Sequence, residues 1–208
     1  MEQRSAGVPV EDVPDVSAEW YLDIARWGAS SPEPVQAFAA FFTDAVLVLF
    51  AIGCAVVWWR ARRGSPEAMA RILLVPVLTT AAYVASEAVK LVWREDRPCR
   101  VLGEVATVVP CPGVGDWSFP SNHSVIAGAA AVGIMWCEKR FGVLAAVLAL
   151  AAAFSRVFVG AHYPHDVLVG LLGGGVVALA LPVAAAASAP LVARLRRHAA
   201  GGALLGGR

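Results

Sequence analysis

Charge is what this sequence has least of. Asp, Glu, Lys and Arg make up 16% of its 208 residues, where a soluble domain carries roughly 25%. Hydrophobic residues reach 58% and the mean hydropathy is +0.64. A disordered chain is excluded, because disorder needs low hydrophobicity and high net charge. An ordinary soluble enzyme is disfavoured on the same numbers. The net charge is only +1 and no basic block stands out, which argues against a nucleic-acid partner. No secretory leader is apparent either, since residues 1–16 are polar with no apolar run after a basic start. What the chain has in place of charge is long apolar runs, the mark of a polytopic membrane protein.

A helix that crosses a bilayer needs roughly 20 mostly apolar residues. Five runs qualify. The first, 35–59, is interrupted by Asp44, and the second, 72–93, carries Glu87 and Lys90 near its end. The third, 121–137, has His123 as its only ionisable side chain before Cys137. The fourth, 141–160, has Arg156 near its end, and the fifth, 167–193, has no charge. An earlier segment, 17–27, is too short to cross. Its Trp20, Tyr21, Ile24 and Trp27 recur at helical spacing, which predicts an interfacial helix with aromatics at headgroup level. The expected fold is therefore all-α, a polytopic membrane helical bundle of five full spans plus an N-terminal interfacial helix. Six spans is the alternative, if that helix inserts. A membrane domain over 17–197 would be flanked by a polar N-terminal tail, 1–16, and a flexible Ala- and Gly-rich C-terminal tail, 198–208.

Lys and Arg in short loops set orientation. With the N-terminus outside, the inner side holds Arg60, Arg62, Arg63, Arg71, Lys139, Arg140, Arg194, Arg196, Arg197 and Arg208 against only Glu67 and Glu138. The exceptions to this bias gather at the outer level. Lys90, Arg94, Arg97 and Arg100 follow the second span, His123 opens the third, Arg156 and His162 close the fourth, and Asp166 opens the fifth. Ionisable residues at such positions are costly and usually functional. Lys90, Arg97 and Arg156 make three fixed cations suited to a multiply charged anion, and guanidinium forks match phosphate oxygens. Pro120 and Ser121 precede a helical run, so the first-turn amides there form a further anion site. Two histidines and a carboxylate add a nucleophile, a general acid and an orienting group. Phosphoryl transfer needs that inventory. Taken singly, each Arg could be a snorkelling anchor and Glu87 could simply pair with Lys90. Coincidence of all of them on one side is a poor account of the pattern.

At these residues the sequence resembles the type 2 phosphatidic acid phosphatase family, membrane lipid phosphatases related to vanadium haloperoxidases. The segment KLVWREDRP supplies Lys90, Arg97 and Pro98, and FPSNH supplies Pro120, Ser121 and His123. SRVFVGAHYPHD supplies Ser155, Arg156, His162 and Asp166. These match the family's three motifs in order and spacing, except that Asn122 replaces the usual Gly of the second. Asn keeps the backbone amide, and its carboxamide could also donate to a phosphate oxygen. The resemblance implies that His162 attacks phosphorus to form a phosphohistidine. It implies that Asp166 orients His162, and that His123 protonates the leaving oxygen and then helps activate water. Lys90, Arg97, Ser121, Asn122 and Arg156 would hold the phosphate oxygens. No metal or other cofactor is implied. A metal cluster of His162, His165 and Asp166 is the competing reading, disfavoured because Tyr163 and Pro164 break the helical spacing; His165 is then an exposed neighbour. A vanadate-binding haloperoxidase and a non-catalytic lipid-binding or transport protein are the other classes weighed. The apolar spans argue against the first, and the intact His123, His162 and Asp166 against the second.

The segment YLDIARWGASSPEPVQAFAAFFTD and the VGAHYPHDV stretch further resemble bacterial undecaprenyl diphosphate phosphatases of this family. The implied function is removal of the terminal phosphate of a C55-type polyprenyl diphosphate at the outer leaflet of the plasma membrane, which regenerates the cell-wall carrier lipid. Phosphatidylglycerophosphate, phosphatidate and other lipid phosphates remain alternatives. The implied partners are the lipid substrate and membrane lipids, with the oligomeric state open. Cys99 and Cys111 share the outer loop between the first two motifs, and an oxidising outer face predicts a disulfide there. Gly170, Gly173, Gly174 and Gly175 suit close helix packing within the bundle rather than a dimer seam. Asp44 has no evident partner, and Glu87 either orients Lys90 or neutralises it.

Overall fold

A computed structural model describes residues 13–103 and 105–206. The described residues are helical, with no strand among them. Helix α1, Asp15–Ser30, precedes α2, Glu33–Ala61, and α3, Pro66–Val92. A loop containing the single turn α4, Pro98–Val101, leads to α5, Asn122–Cys137, and α6, Lys139–Phe158. The chain then forms α7, Pro164–Ala178, α8, Leu181–Leu195, and a short α9, Ala199–Leu205. Most starts are written in the sequence. Pro lies in the first turn of α2, α3, α7 and α8, where its missing N–H costs nothing and its fixed φ favours the helix. Ser65 caps α3 by accepting from the Ala68 amide at 3.1 Å.

Four apolar segments are long enough to cross a membrane: α2, α3, α6 and the α7–α8 run, Pro164–Leu195. The third expected span is α5, with 16 residues and a length of about 24 Å, short of the ~30 Å hydrocarbon core. The structure therefore supports four spanning segments and a shorter apolar helix, and leaves the expected count of five a proposal. The fifth run is broken after Ala178. Pro182 stands in the first turn of α8, and a proline ring clashes with the carbonyl four residues back, here that of Ala178.

α5 is the central helix, packed against α7, α6, α3 and α2. Its buried face is built of Ala127, Gly128, Ala129, Ala130, Ala131 and Gly133. Small residues let the backbones nearly touch. A Cβ on Gly128 would fall 2.2 Å from the Leu171 carbonyl oxygen, and one on Gly174 would fall 2.1 Å from that of Val125. Gly170 faces the Ser121 carbonyl in the same way, whereas Gly173 has nothing within 4 Å. Three of the four glycines in that run thus meet α5, at Ser121, Val125 and Val132. The main core lies toward the other end, where Val46, Phe50, Met69, Ile72, Val75, Ile134 and Leu181 interlock. Large apolar side chains such as Phe41, Leu150, Leu172 and Val183 point outward, as a lipid-facing surface requires.

α1 is more than an interfacial float. Trp20 and Trp27 are exposed, but Tyr21 is fully buried and donates from its hydroxyl to the Gly160 carbonyl at 3.1 Å. The tail expected to be flexible from residue 198 instead forms α9, with Leu205 packed on the core. Ala and Leu are good helix formers, and an apolar side chain gains by docking there. Of the expected N-terminal tail, residues 1–12 lie outside the described residues, as does Arg208; Asp15 and Val16 belong to α1.

Candidate active site

α3 ends, α5 begins, α6 ends and α7 begins at one end of the bundle. Each of these ends carries one of the sequence motifs. His162 lies in the tight link between α6 and α7, whose shape is set by Gly160 at φ +86°, a left-handed value that favours glycine. The Ala161 and His162 amides both donate to the Arg156 carbonyl, at 3.0 and 3.3 Å. This tie fixes Arg156 and His162 relative to one another.

His162 is 2% exposed and held from both sides. Its Nδ1 faces Asp166 Oδ2 at 3.3 Å, and its Nε2 faces Arg97 Nη1 at 3.0 Å. A guanidinium can only donate. Nε2 must therefore be the accepting nitrogen and Nδ1 the protonated one, with Asp166 receiving that proton's hydrogen bond. Burial, the largest influence, pushes the imidazole down to about 3; the hydrogen bond to Asp166 opposes it and the charge of Arg97 adds to it. The ring is neutral at ordinary pH with the Nε2 lone pair turned to Arg97, and a neutral imidazole nitrogen is the form a nucleophile needs.

Asp166 is fully buried. Its Oδ2 also accepts from Ser118 Oγ at 2.5 Å and from the Tyr163 amide at 2.9 Å. The latter is half of a capping box, since Asp166 is the third residue of α7. Its carbonyl accepts the Ser121 amide at 3.2 Å and joins the second and third motifs through the main chain.

Arg97 is anchored by more than His162. It donates to Asp116 Oδ1 at 2.8 Å and to the Asp116 carbonyl and the Ala161 carbonyl at 2.9 Å each. Arg156 donates to Thr43 Oγ1 at 3.1 Å and lies 3.9 Å from Asp44. Asp44, whose partner the sequence did not show, sits 3.0 Å from His123 Nε2. Lys90 is buried and 3.4 Å from Glu87 Oε1. Ser121 occupies the N-cap position of α5, but no side chain caps that helix. The amides of its first turn are left for an anion.

Two expectations are corrected. The Asn122 carboxamide does not face the anion site. It accepts from Ser86 Oγ at 2.8 Å and donates to Glu87 Oε1 at 2.6 Å, because Glu87 needs a donor and α3 passes within reach. What Asn122 offers an anion is its backbone amide. His165 is not a free neighbour. Its Nδ1 meets Ser17 Oγ of α1 at 2.7 Å, and its Nε2 lies 3.2 Å from both Glu95 and Asp166 Oδ1. Its ring is clamped between Phe119 and Tyr163. The acidic set close enough to share an ion is thus Glu95, His165 and Asp166, without His162. His165 Nε2 hydrogen-bonds Glu95 Oε2 at 3.2 Å, while Asp166 Oδ1 is buried without a hydrogen-bond donor. Sequence reasoning missed Ser17, Thr43, Glu95, Asp116 and Ser118. The one available signal was that Glu95 and Asp116 are carboxylates in the loop that also carries Arg97.

Residues 71–189, more than half of the chain, match the PAP2 superfamily. The chain belongs to that superfamily. As a PAP2 protein it is a multi-pass membrane lipid phosphatase. It is 29% identical over 138 residues to the undecaprenyl-diphosphatase BcrC of Bacillus subtilis, a match covering 66% of this chain and 68% of that protein. It is 33% identical over 94 residues to an undecaprenyl-diphosphatase of Sulfolobus acidocaldarius, covering 45% of each. The PAP2 fold here superposes on the crystal structure of Aquifex aeolicus LpxE with a TM-score of 0.63 and 22% identity, over 84% of this chain and 98% of that one.

Proposed function

We propose that this PAP2 protein removes the terminal phosphate of a polyprenyl diphosphate, undecaprenyl diphosphate above all, at the outer leaflet through a phosphohistidine. Arg97, Lys90, Arg156 and the first-turn amides of α5 hold the phosphate oxygens. The neutral Nε2 of His162 attacks phosphorus as the bond to the bridging oxygen breaks. His123, entering as the imidazolium, gives its proton to the departing polyprenyl phosphate. Asp166 steadies the charge that His162 acquires. In the second step His123 takes a proton from water, the water oxygen attacks phosphorus, and inorganic phosphate leaves with His162 restored.

The observation that carries the chemistry is the hold on His162, with Nδ1 on Asp166 at 3.3 Å and Nε2 turned to Arg97 at 3.0 Å. The similarity to undecaprenyl-diphosphatases favours the polyprenyl substrate, and the bias of Arg and Lys toward the other end favours an outward-facing site. The test is phosphate release by the purified protein in detergent with EDTA present. Undecaprenyl diphosphate, phosphatidylglycerophosphate and phosphatidate are compared. The expected outcome is EDTA-resistant release fastest from undecaprenyl diphosphate, abolished in His162→Ala and lowered about 10³- to 10⁴-fold in kcat by Asp166→Asn. A glycerolipid preference would overturn the substrate and keep the mechanism; full activity in His162→Ala would overturn the mechanism.

A further inference from the structure

At the end of the bundle away from His162 the structure has a cavity of about 780 Å³, lined by Trp59, Arg62, Arg63, Arg196 and Arg197. These residues follow the C-termini of α2 and α8, so the two helix dipoles add negative ends that help gather cations. We propose that this cavity is a binding site for a phosphate-bearing anion, and specifically for the headgroup of a phospholipid that carries two phosphates.

Ordinary interfacial anchors would leave four separate arginines snorkelling to water. These are organised. Arg196 donates to the Gly64 carbonyl at 2.7 Å and to that of Ala61 at 3.1 Å. Arg62 donates to the Ala203 carbonyl at 2.5 Å, and its guanidinium stacks 4.6 Å from the Trp59 ring and 5.5 Å from that of Trp58. Main-chain carbonyls and aromatic faces orient these two forks without a full negative charge to neutralise them. The Nε groups of both are buried without an acceptor. Among the described residues no carboxylate pairs with any of the four. The two nearby in sequence are taken, Glu138 by Arg60 at 2.9 Å and Glu67 by Arg71 at 2.5 Å.

Four guanidinium groups around one hollow repel each other until an anion enters, and guanidinium forks match phosphate oxygens bidentately. A single phosphodiester would offset one charge of four; two phosphates on one headgroup fit better. The source is a lipid rather than a solute because the hollow sits where a headgroup would. Trp59 is 60% exposed beside it, as at a membrane interface, and exposed Leu191 and Leu195 on α8 run from it along the bundle where acyl chains would lie. Basic pockets at helix ends are used this way.

The test uses the whole protein in a neutral detergent, stripped of lipid. Cardiolipin, phosphatidylglycerol, phosphatidylcholine and inorganic diphosphate are each titrated while native mass spectrometry counts adducts and thermal unfolding is followed. The expected result is one saturable cardiolipin adduct with a rise in Tm, weaker binding of phosphatidylglycerol and none of phosphatidylcholine. Arg62→Gln with Arg196→Gln should weaken cardiolipin binding at least tenfold. Arg63→Gln with Arg197→Gln, at exposed positions whose side chains no described hydrogen bond or ion pair uses, tests the same site without loosening the fold and should also weaken it several-fold. Hydrolysis of a lipid phosphate by the His162 end should remain as in the unsubstituted protein. Equal binding of phosphatidylcholine, or a cardiolipin adduct unaltered in both double variants, would overturn the site. Equal stabilisation by inorganic diphosphate would overturn the lipid assignment.

Discussion

At the scale of single residues, His162 shows how burial keeps an imidazole neutral, as the proposed nucleophile must be. Its folded value of about 3 lies below the ordinary 6.5, so between those values the unfolded chain binds a proton that the folded chain does not. Stability from this residue is therefore full above pH 6.5 and is lost as the pH falls toward 3. Thermal unfolding in detergent should show Tm falling as pH drops from 7 to 4, with a shallower slope in His162→Gln. Equal slopes would mean other groups set the dependence. The motif residues at this site were legible because their spacing in the chain was itself the signal. Ser118 and Thr43 were not. Nothing in their neighbourhood distinguishes them, and only the folded chain brings Ser118 to Asp166 and Thr43 to Arg156. His165 was misjudged for the same reason, since Ser17, 148 positions away, is what holds its ring.

At the scale of helices, the bundle depends on how closely α5 and α7 approach. Gly174→Ala puts a methyl group 2.1 Å from a main-chain oxygen, which cannot move without parting the helices. A loss of about 1–3 kcal/mol is expected, along with reduced activity, because Ser121 and Asp166 ride on the same two helices. Gly173→Ala one position earlier meets nothing within 4 Å and should change stability by no more than about 1 kcal/mol. Thermal unfolding of the pair checks this, and equal effects would refute the close-packing account. Apolar runs showed where the helices lie, but not where one stops. The break before α8 needed the clash of Pro182 with the turn before it, and the shortness of α5 came from the extended link at Glu138. A run of hydrophobic residues carries neither.

At the scale of the molecule, the loop between the first two motifs is tied at its base. Cys99 and Cys111 are joined in a disulfide with their Cα atoms 5.9 Å apart, while Cys54 and Cys137 are free within the bundle. Closing a loop this short is worth about 3 kcal/mol. Alkylation of the unfolded, unreduced protein should label Cys54 and Cys137 alone, and reduction should add the other two. Cys99→Ser should lower Tm by several degrees and raise KM more than it lowers kcat, since the loop carries Asp116 and leads to Ser118 and Ser121. Labelling of all four without reduction would refute the bond. The all-helical membrane character was readable because lipid demands apolar surface and Arg marks one end; the number of spans was not. The short helix at the C-terminal end was not, since Ala and Gly suit a tail as well as a docked turn.

Arg97 has one more consequence. In the free protein its guanidinium is never bare: Asp116, two carbonyls and His162 occupy it. In the proposed reaction an arriving phosphate would trade places with ligands the chain already supplies. The same trade in reverse would work at the end of the cycle, when those ligands return and displace the product. A site of that kind would give up some tightness of capture and turn over faster, because departing phosphate would leave no unpaired charge behind.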